Sequence, residues 1–317
     1  MLERFYAEAP QQERVGFDPV QFPRRYSNPR DVEVAGLIAA SLAYGRVDLF
    51  VPKVELLLKA LGPSPAAYLQ RATVARVTPF LEDFVYRFNV GADLAVLLLG
   101  IGKVERTYGS LEACFASGLR QTGTLQGALS GLTTALLDLP LAPIEAALGK
   151  TRGLAFLLPN PLGTSASKRL NMYLRWMVRG PDAVDLGIWK TVSPSVLMVP
   201  LDTHIARIAK RLGLTRRNDL GWKTAEEITA SLRRIDADDP VRFDFALCHH
   251  GMSGVCSPSA RKEACGGCVL QAACEVGKRF TRPPFPRARR GVSGARISPS
   301  TGTSVHLDRL GETVSPA

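Results

Sequence analysis

Apolar residues recur at three- and four-residue steps along most of the first 250 positions, and no stretch alternates with period two among β-branched residues. That pattern predicts an all-α fold. The first example, VEVAGLIAASLAYG, follows Pro29 and Asp31, places Val34, Leu37, Ile38 and Leu42 on one face, and is closed by Gly45. A second helix is expected from about Asp48 to Leu61, where Gly62 and Pro63 stop it. The same reading predicts helices near 80–88, 92–106, 110–118, 125–137, 141–148, 167–179, 203–213, 223–234 and 240–250. No fixed-period repeat is present, so many short helices joined by Gly and Pro turns must bury one another.

Length and composition narrow the class further. A chain of 317 residues with 46% hydrophobic content can bury a substantial core, which excludes global disorder. The longest apolar run, Leu94 to Ile101, is too short to span a bilayer, and the opening MLERFYAEAP lacks the layout of a signal peptide. A cytoplasmic, nucleoid-associated protein is the expectation. The net charge of +11 makes a polyanion the first partner to consider. About half of that excess lies in residues 278–317, where eight Lys or Arg face two Asp or Glu. This segment is rich in Pro, Gly, Ser and Arg and has little to bury, so it is expected to be a disordered basic tail. It reads equally as a solvated extension and as a nucleic-acid-binding arm.

Four of the six cysteines crowd into one loop as C-x8-C-x2-C-x5-C: Cys256, Cys265, Cys268 and Cys274. A large intracellular chain makes a disulfide framework the weaker expectation and metal binding the stronger. Only Cys265 and Cys268 form a CxxC knuckle, whereas a zinc ribbon would offer two. A compact all-thiolate loop suits a [4Fe-4S] cluster, each iron taking one thiolate, with Gly266 and Gly267 permitting the turn; zinc remains the alternative. Cys114 and Cys248 read as core thiols.

The stretch HGMSGVCSPSARKEACGGCVLQAAC resembles the C-terminal iron–sulfur loop of endonuclease III and its adenine-glycosylase relatives, with two extra residues in the first interval. Upstream, VPLDTHIARIAKRLGL (199–214) resembles the VDTHVxRVxxRLGL signature of the helix-hairpin-helix DNA glycosylase superfamily. That resemblance implies that Asp202 is the catalytic acid residue. Asp202 also stands just ahead of a predicted helix, where a carboxylate caps free amides, and both roles are compatible. His204 reads as a local hydrogen-bonding residue. The LPGVGxKTA hairpin of endonuclease III is absent; LLPNPLGTSASKRLNMYLRWMVRG stands instead. There Pro159, Pro161 and Gly163 supply a turn, Ser165 or Ser167 can cap, and Lys168 opens an amphipathic helix. The order Ser-Lys, apolar helix, then a DTH acid resembles the archaeal 8-oxoguanine glycosylase branch, which implies Lys168 as nucleophile. Met172, Arg175 and Trp176 share its helical face and are candidates for a base pocket. The bland alternative makes Lys168 a surface lysine and Trp176 a core residue. The Tyr44-Gly45-Arg46 turn resembles the place where these enzymes push a side chain into the vacated stack, so Tyr44 and Arg46 join Gly163 and Ser165 as candidate DNA contacts. The segments KRLNMYLRWMVR, PLDTHIARIAKRLGL, WKTAEEIT and FDFALCHHG also resemble a bacterial family known as domain of unknown function 2400, over about residues 15–277.

The expectation is therefore a two-lobed helix-hairpin-helix glycosylase-like fold. A barrel lobe with the hairpin would span 31–180; a C-terminal helical lobe with the iron–sulfur loop would span 181–277; residues 1–30 would pack on the cluster lobe. The implied activity is base-excision-repair glycosylase action with AP lyase chemistry, as a monomer on double-stranded DNA carrying a damaged, possibly oxidised, base. Two alternatives stay open: a non-catalytic iron–sulfur nucleic-acid-binding protein of the same fold, and a metal-dependent structural or redox protein unrelated to nucleic acid.

Overall fold

The computed structural model describes residues 1–259 and 262–281, whose regular secondary structure is helical apart from one small hairpin and one isolated bridge. Residues Met1–Thr281 form one compact unit. The amino-terminal helices are α1 (Leu2–Glu8), α2 (Gln11–Val15), α3 (Pro29–Leu42), α4 (Val47–Leu61), α5 (Pro65–Gln70) and α6 (Val74–Leu81). After the hairpin β1 (Val85–Tyr86) and β2 (Asn89–Val90) come α7 (Gly91–Tyr108), α8 (Leu111–Thr122), α9 (Leu125–Leu137), α10 (Leu141–Leu148) and α11 (Leu154–Leu157). The remaining helices are α12 (Lys168–Val178), α13 (Thr203–Arg211), α14 (Trp222–Arg233), α15 (Asp244–Met252), α16 (Lys262–Gly266) and α17 (Lys278–Thr281).

Two helices are buried along nearly their whole length and organise the rest. In α3 every residue from Asp31 to Leu42 is buried, and the helix packs on α4, α5 and α12. The other, α7, packs on α5, α6, α8, α9 and α10. Gly100 and Gly102 explain how close those neighbours come. A β-carbon at Gly100 would lie 2.1 Å from the Leu136 carbonyl oxygen, and one at Gly102 would lie 2.1 Å from that of Leu69. Side chains on that face would separate the helices. Helix starts follow local chemistry: Asn28, Ser110 and Thr124 accept from the amides of Arg30, Ala113 and Gly127, while Gly109 and Gly123 end α7 and α8 in the left-handed region.

The helix expected near 80–88 is not formed. Helix α6 ends at Leu81, and Val85–Val90 folds back as the hairpin. Tertiary contacts decide this. The Asn89 side chain is fully buried, donates to the Gly153 carbonyl at 2.9 Å, and accepts from the Tyr44 hydroxyl at 2.6 Å. Period-two alternation does exist here, with Phe84 and Tyr86 buried and Val85 and Arg87 exposed, but over too few residues to register in the sequence. The short helices α1, α2 and α5 also escaped the periodicity.

The amino-terminal segment packs against α15: the Phe5 ring meets His250 edge-on at 5.3 Å, and Tyr6 meets Phe243 at 5.8 Å. Residues 278–281 of the expected tail form a helical turn, and 282–317 lie outside the described residues. No single helix among the described residues is long and apolar enough to cross a membrane.

Candidate functional site

Two helices present matching faces to one cleft of about 810 Å³, its open mouth included. From α12 come Lys168, Met172, Arg175 and Trp176, at steps of four, three and one; from α15 come Asp244, Phe245, Cys248, His249 and Met252, one face of that helix. The 17–19 turn and Gly45 complete the wall.

Asp202 stands behind this wall as the N-cap of α13. Its Oδ1 accepts from the amides of His204 at 2.9 Å and Ile205 at 2.8 Å. Its Oδ2 is 3.1 Å from Lys168 Nζ, and the Cys248 thiol donates to the same oxygen at 3.5 Å. Capping thus fixes the carboxylate through Oδ1 while Oδ2 holds two side chains of the cleft wall, Lys168 and Cys248. Burial pushes the Asp202 carboxyl up, but the Lys168 ammonium and the Ile205 amide outweigh it, and the carboxyl is held below its usual value. Burial pulls Lys168 down, yet Asp202, with Asp18 behind it, holds the ammonium above the ordinary lysine value. Lys168 in the open cleft is therefore charged. Burial, and then Asp202, push the Cys248 thiol well above its usual value, so it is a neutral donor.

Lys168 follows a strained residue. Ser167 has φ +46°, in the left-handed region, although it is not glycine, and it is buried. Its side chain does not cap α12; instead its amide donates to Ser165 Oγ at 3.2 Å, so neither serine caps that helix.

The other expected contact residues divide. Met172 reaches the cleft half-buried. Arg175 reaches it only as floor: its guanidinium is buried between Asp185, at 3.1 Å, and Asp244, and is spent on those two ion pairs. Trp176 is 1% exposed and forms core beneath the cleft, as the bland reading had it. Tyr44 is not a free turn residue, because its ring lies under the Arg169 guanidinium and its hydroxyl bonds to Asn89. Arg46 is exposed but paired with Asp48 at 2.8 Å. Gly163 and Ser165 sit in an exposed loop that is not part of the cleft wall; the loop is tied to α14 by the Trp222 amide, which donates to the Thr164 carbonyl. His204 Nδ1 bonds to Arg207, the local role expected of it.

Four polar residues that line the cleft lie outside the sequence-derived site: Asp244, Cys248, and the facing pair Asp18 and His249, whose Oδ2 and Nε2 are 3.6 Å apart. A polar stripe of Asp244, Cys248 and His249 on an otherwise apolar helix was the available signal.

Cys256, Cys265, Cys268 and Cys274 line a single pocket together with His250. Arg211 donates to Cys256 Sγ at 3.1 Å, the Gly277 amide to Cys274 Sγ at 3.4 Å, and His250 Nε2 is 3.6 Å from Cys268 Sγ. No group of three or more His, Cys, Asp or Glu among the described residues is placed to hold one metal ion.

Residues 18–253 match the model of a family described as a protein of unknown function, DUF2400. The chain belongs to that family. The DUF2400 match takes in Asp18, Lys168, Asp202, Cys248 and His249, and it stops three residues before Cys256. No curated protein and no solved structure matches the chain.

Proposed function

We propose that this protein is a DNA glycosylase of the helix-hairpin-helix type, with AP lyase activity, in which Lys168 is the nucleophile and Asp202 the catalytic carboxylate. The observation that carries the reading is the 3.1 Å approach of Lys168 Nζ, which lines the cleft, to Asp202 Oδ2 behind its wall. The likeness of residues 199–214 and 256–274 to that superfamily supports it.

The charge state shapes the chemistry. Lys168 is an ammonium in the open cleft, so it cannot attack until it gives up a proton. As the bond between the base and the sugar anomeric carbon breaks, its electron pair leaves with the base, and the ammonium supplies the proton that the base takes up. Asp202 stays ionised and stabilises the positive charge left on the sugar. The now neutral amine adds to the anomeric carbon and loses a proton to Asp202, which returns it to the ring oxygen as the bond from that oxygen to the anomeric carbon breaks, leaving a Schiff base. β-Elimination from that adduct cuts the strand. The helix amides occupy only Oδ1 of Asp202, which leaves Oδ2 to Lys168 and the Cys248 thiol.

Cys256, Cys265, Cys268 and Cys274 are the residues that would hold a [4Fe-4S] cluster. They fit it in kind: four thiols share one pocket, two sulfurs accept N–H bonds, and no carboxylate lines that pocket. Four irons spread four thiolates apart, whereas one zinc draws all its ligands to about 2.3 Å. The cluster would supply a structural brace for the C-terminal loop.

Borohydride trapping on duplexes bearing oxidised purines, oxidised pyrimidines or abasic sites tests the reading, with 8-oxoguanine the first substrate. A covalent species that disappears in Lys168→Gln, with DNA binding retained, is the expected result. Binding without trapping on every lesion would instead favour an iron–sulfur nucleic-acid-binding protein.

A further inference from the structure

Beside the cleft, the hairpin and α11 expose two aromatic rings that no core packing explains. Phe88, at the hairpin tip, is 54% exposed and Phe156 is 41% exposed; the rings meet at 5.0 Å and 62°. Each ring lies against a guanidinium, with Arg87 5.5 Å from the Phe88 centroid and Arg169 4.8 Å from that of Phe156. Tyr44 backs Phe156 edge-on at 4.8 Å.

The backing is rigid. Asn89 ties the tip to Gly153 and Asp93, and Asp93 accepts from the amides of Arg152 and Gly153 at 3.0 to 3.1 Å. A β-carbon at Gly153 would lie 2.4 Å from the Phe88 carbonyl oxygen, so hairpin and α11 are in direct backbone contact. Arg87 holds φ +52°, a conformation that costs a non-glycine residue about 1–2 kcal/mol. The surface also joins the cleft. Gly45, which lines the cleft, has φ +79°, and a β-carbon there would lie 2.7 Å from the Arg87 guanidinium. Arg169 is the next residue after Lys168.

We infer that Phe88 and Phe156, with Arg87 and Arg169, form a stacking site for an unpaired base of a nucleic acid whose strand passes the mouth of the cleft. Exposed aromatic faces interleaved with guanidinium groups match bases and phosphates together, because every base offers a π-face and every linkage a negative charge. Exposed Arg87 and Arg152 supply that charge complement at the tip. An apolar protein partner would leave these cations to be desolvated without a counterion. The site rests on the nucleic-acid part of the proposed function and not on its chemistry. It also replaces Tyr44 as the side chain that meets an unstacked base.

The test uses the full chain with two probes: a single-stranded oligonucleotide containing 2-aminopurine, and a duplex carrying 2-aminopurine in a one-base bulge. Stacking should quench the fluorescence on binding. Phe88→Ala and Phe156→Ala should each weaken binding about 5- to 150-fold and remove the quenching, the range expected for loss of one base–aromatic stack, whereas Phe88→Tyr should retain both. Circular dichroism melts of the exposed-site variants confirm that the fold is intact. Full quenching without any borohydride trapping would sink the Lys168 Schiff-base chemistry and leave the stacking site standing. Parental affinity in Phe88→Ala, equal binding by Phe88→Leu, or no binding of either probe by the parent chain would overturn the site.

Discussion

Lys168 and Asp202 stand 34 positions apart in the sequence, yet the lysine ammonium and one carboxylate oxygen are 3.1 Å apart, while the other oxygen of the same carboxylate caps α13. One side chain thus caps a helix with one oxygen and meets the lysine with the other, and substitution can separate the two.

Asp202→Asn keeps an oxygen to cap α13, so thermal stability should change by less than about 1 kcal/mol, whereas Asp202→Ala should lose about that much through the cap alone. Both should slow formation of the trapped DNA adduct by roughly 100-fold or more, since neither stabilises a cationic sugar. Thermal melts and single-turnover trapping check this. An asparagine variant that traps at the parental rate would remove Asp202 from the chemistry.

Glu33 makes stability depend on pH. Burial raises its carboxyl from 4.5 to about 7, against the lowering effect of the Glu112 amide, with Glu105 adding to the rise. Between those two values the folded chain keeps a proton that the unfolded chain has released. The contribution is thus fully present below about 4.5 and is lost as pH rises through about 7. Urea unfolding should show stability falling over that window, by at most about 1.4 kcal/mol per pH unit from this group. Glu33→Gln should flatten the slope; a slope unchanged in that variant would assign it to another residue.

Arg175 is the structural core of the cleft floor. It is 2% exposed and pairs with Asp185 and Asp244, while Arg179 also meets Asp185 at 2.6 Å. Arg175→Met would leave carboxylates buried with too few cations and should cost about 3–5 kcal/mol in chemical denaturation. Arg175→Lys should not rescue it, because a single ammonium does not span two carboxylates as the guanidinium fork does. A loss under 1 kcal/mol would show that the carboxylates re-pair with Arg179.

Anaerobically purified protein should be brown and carry near four irons per chain, one for each of the four thiolates. Cys268→Ser should lower the iron content and destabilise the region beyond α15. A colourless preparation with stoichiometric zinc would decide for the alternative metal.

The helical class and most helix positions were readable before any contact was known. Periodicity reports which face of a helix is buried, and a cap such as Asp202 is a local event that four residues specify. Lys168 and Asp202 drew notice because each lies in a stretch that resembles a glycosylase motif, and the structure brings the two side chains together. Only the tertiary structure decided what stood beside them. Cys248 shares an oxygen with Lys168, and Asp18 meets His249, because α15 and the 17–19 turn close on α12 from distant parts of the chain. Arg175 and Trp176 share the helical face of Lys168, yet one is spent on buried carboxylates and the other on the core. Helical spacing fixes direction from the axis but not what lies opposite. The hairpin at 85–90 is the sharpest case, since a two-residue ladder has too little period to read and is held by Asn89 reaching Gly153, 64 residues away. Such contacts are properties of packing and do not exist until the chain has folded.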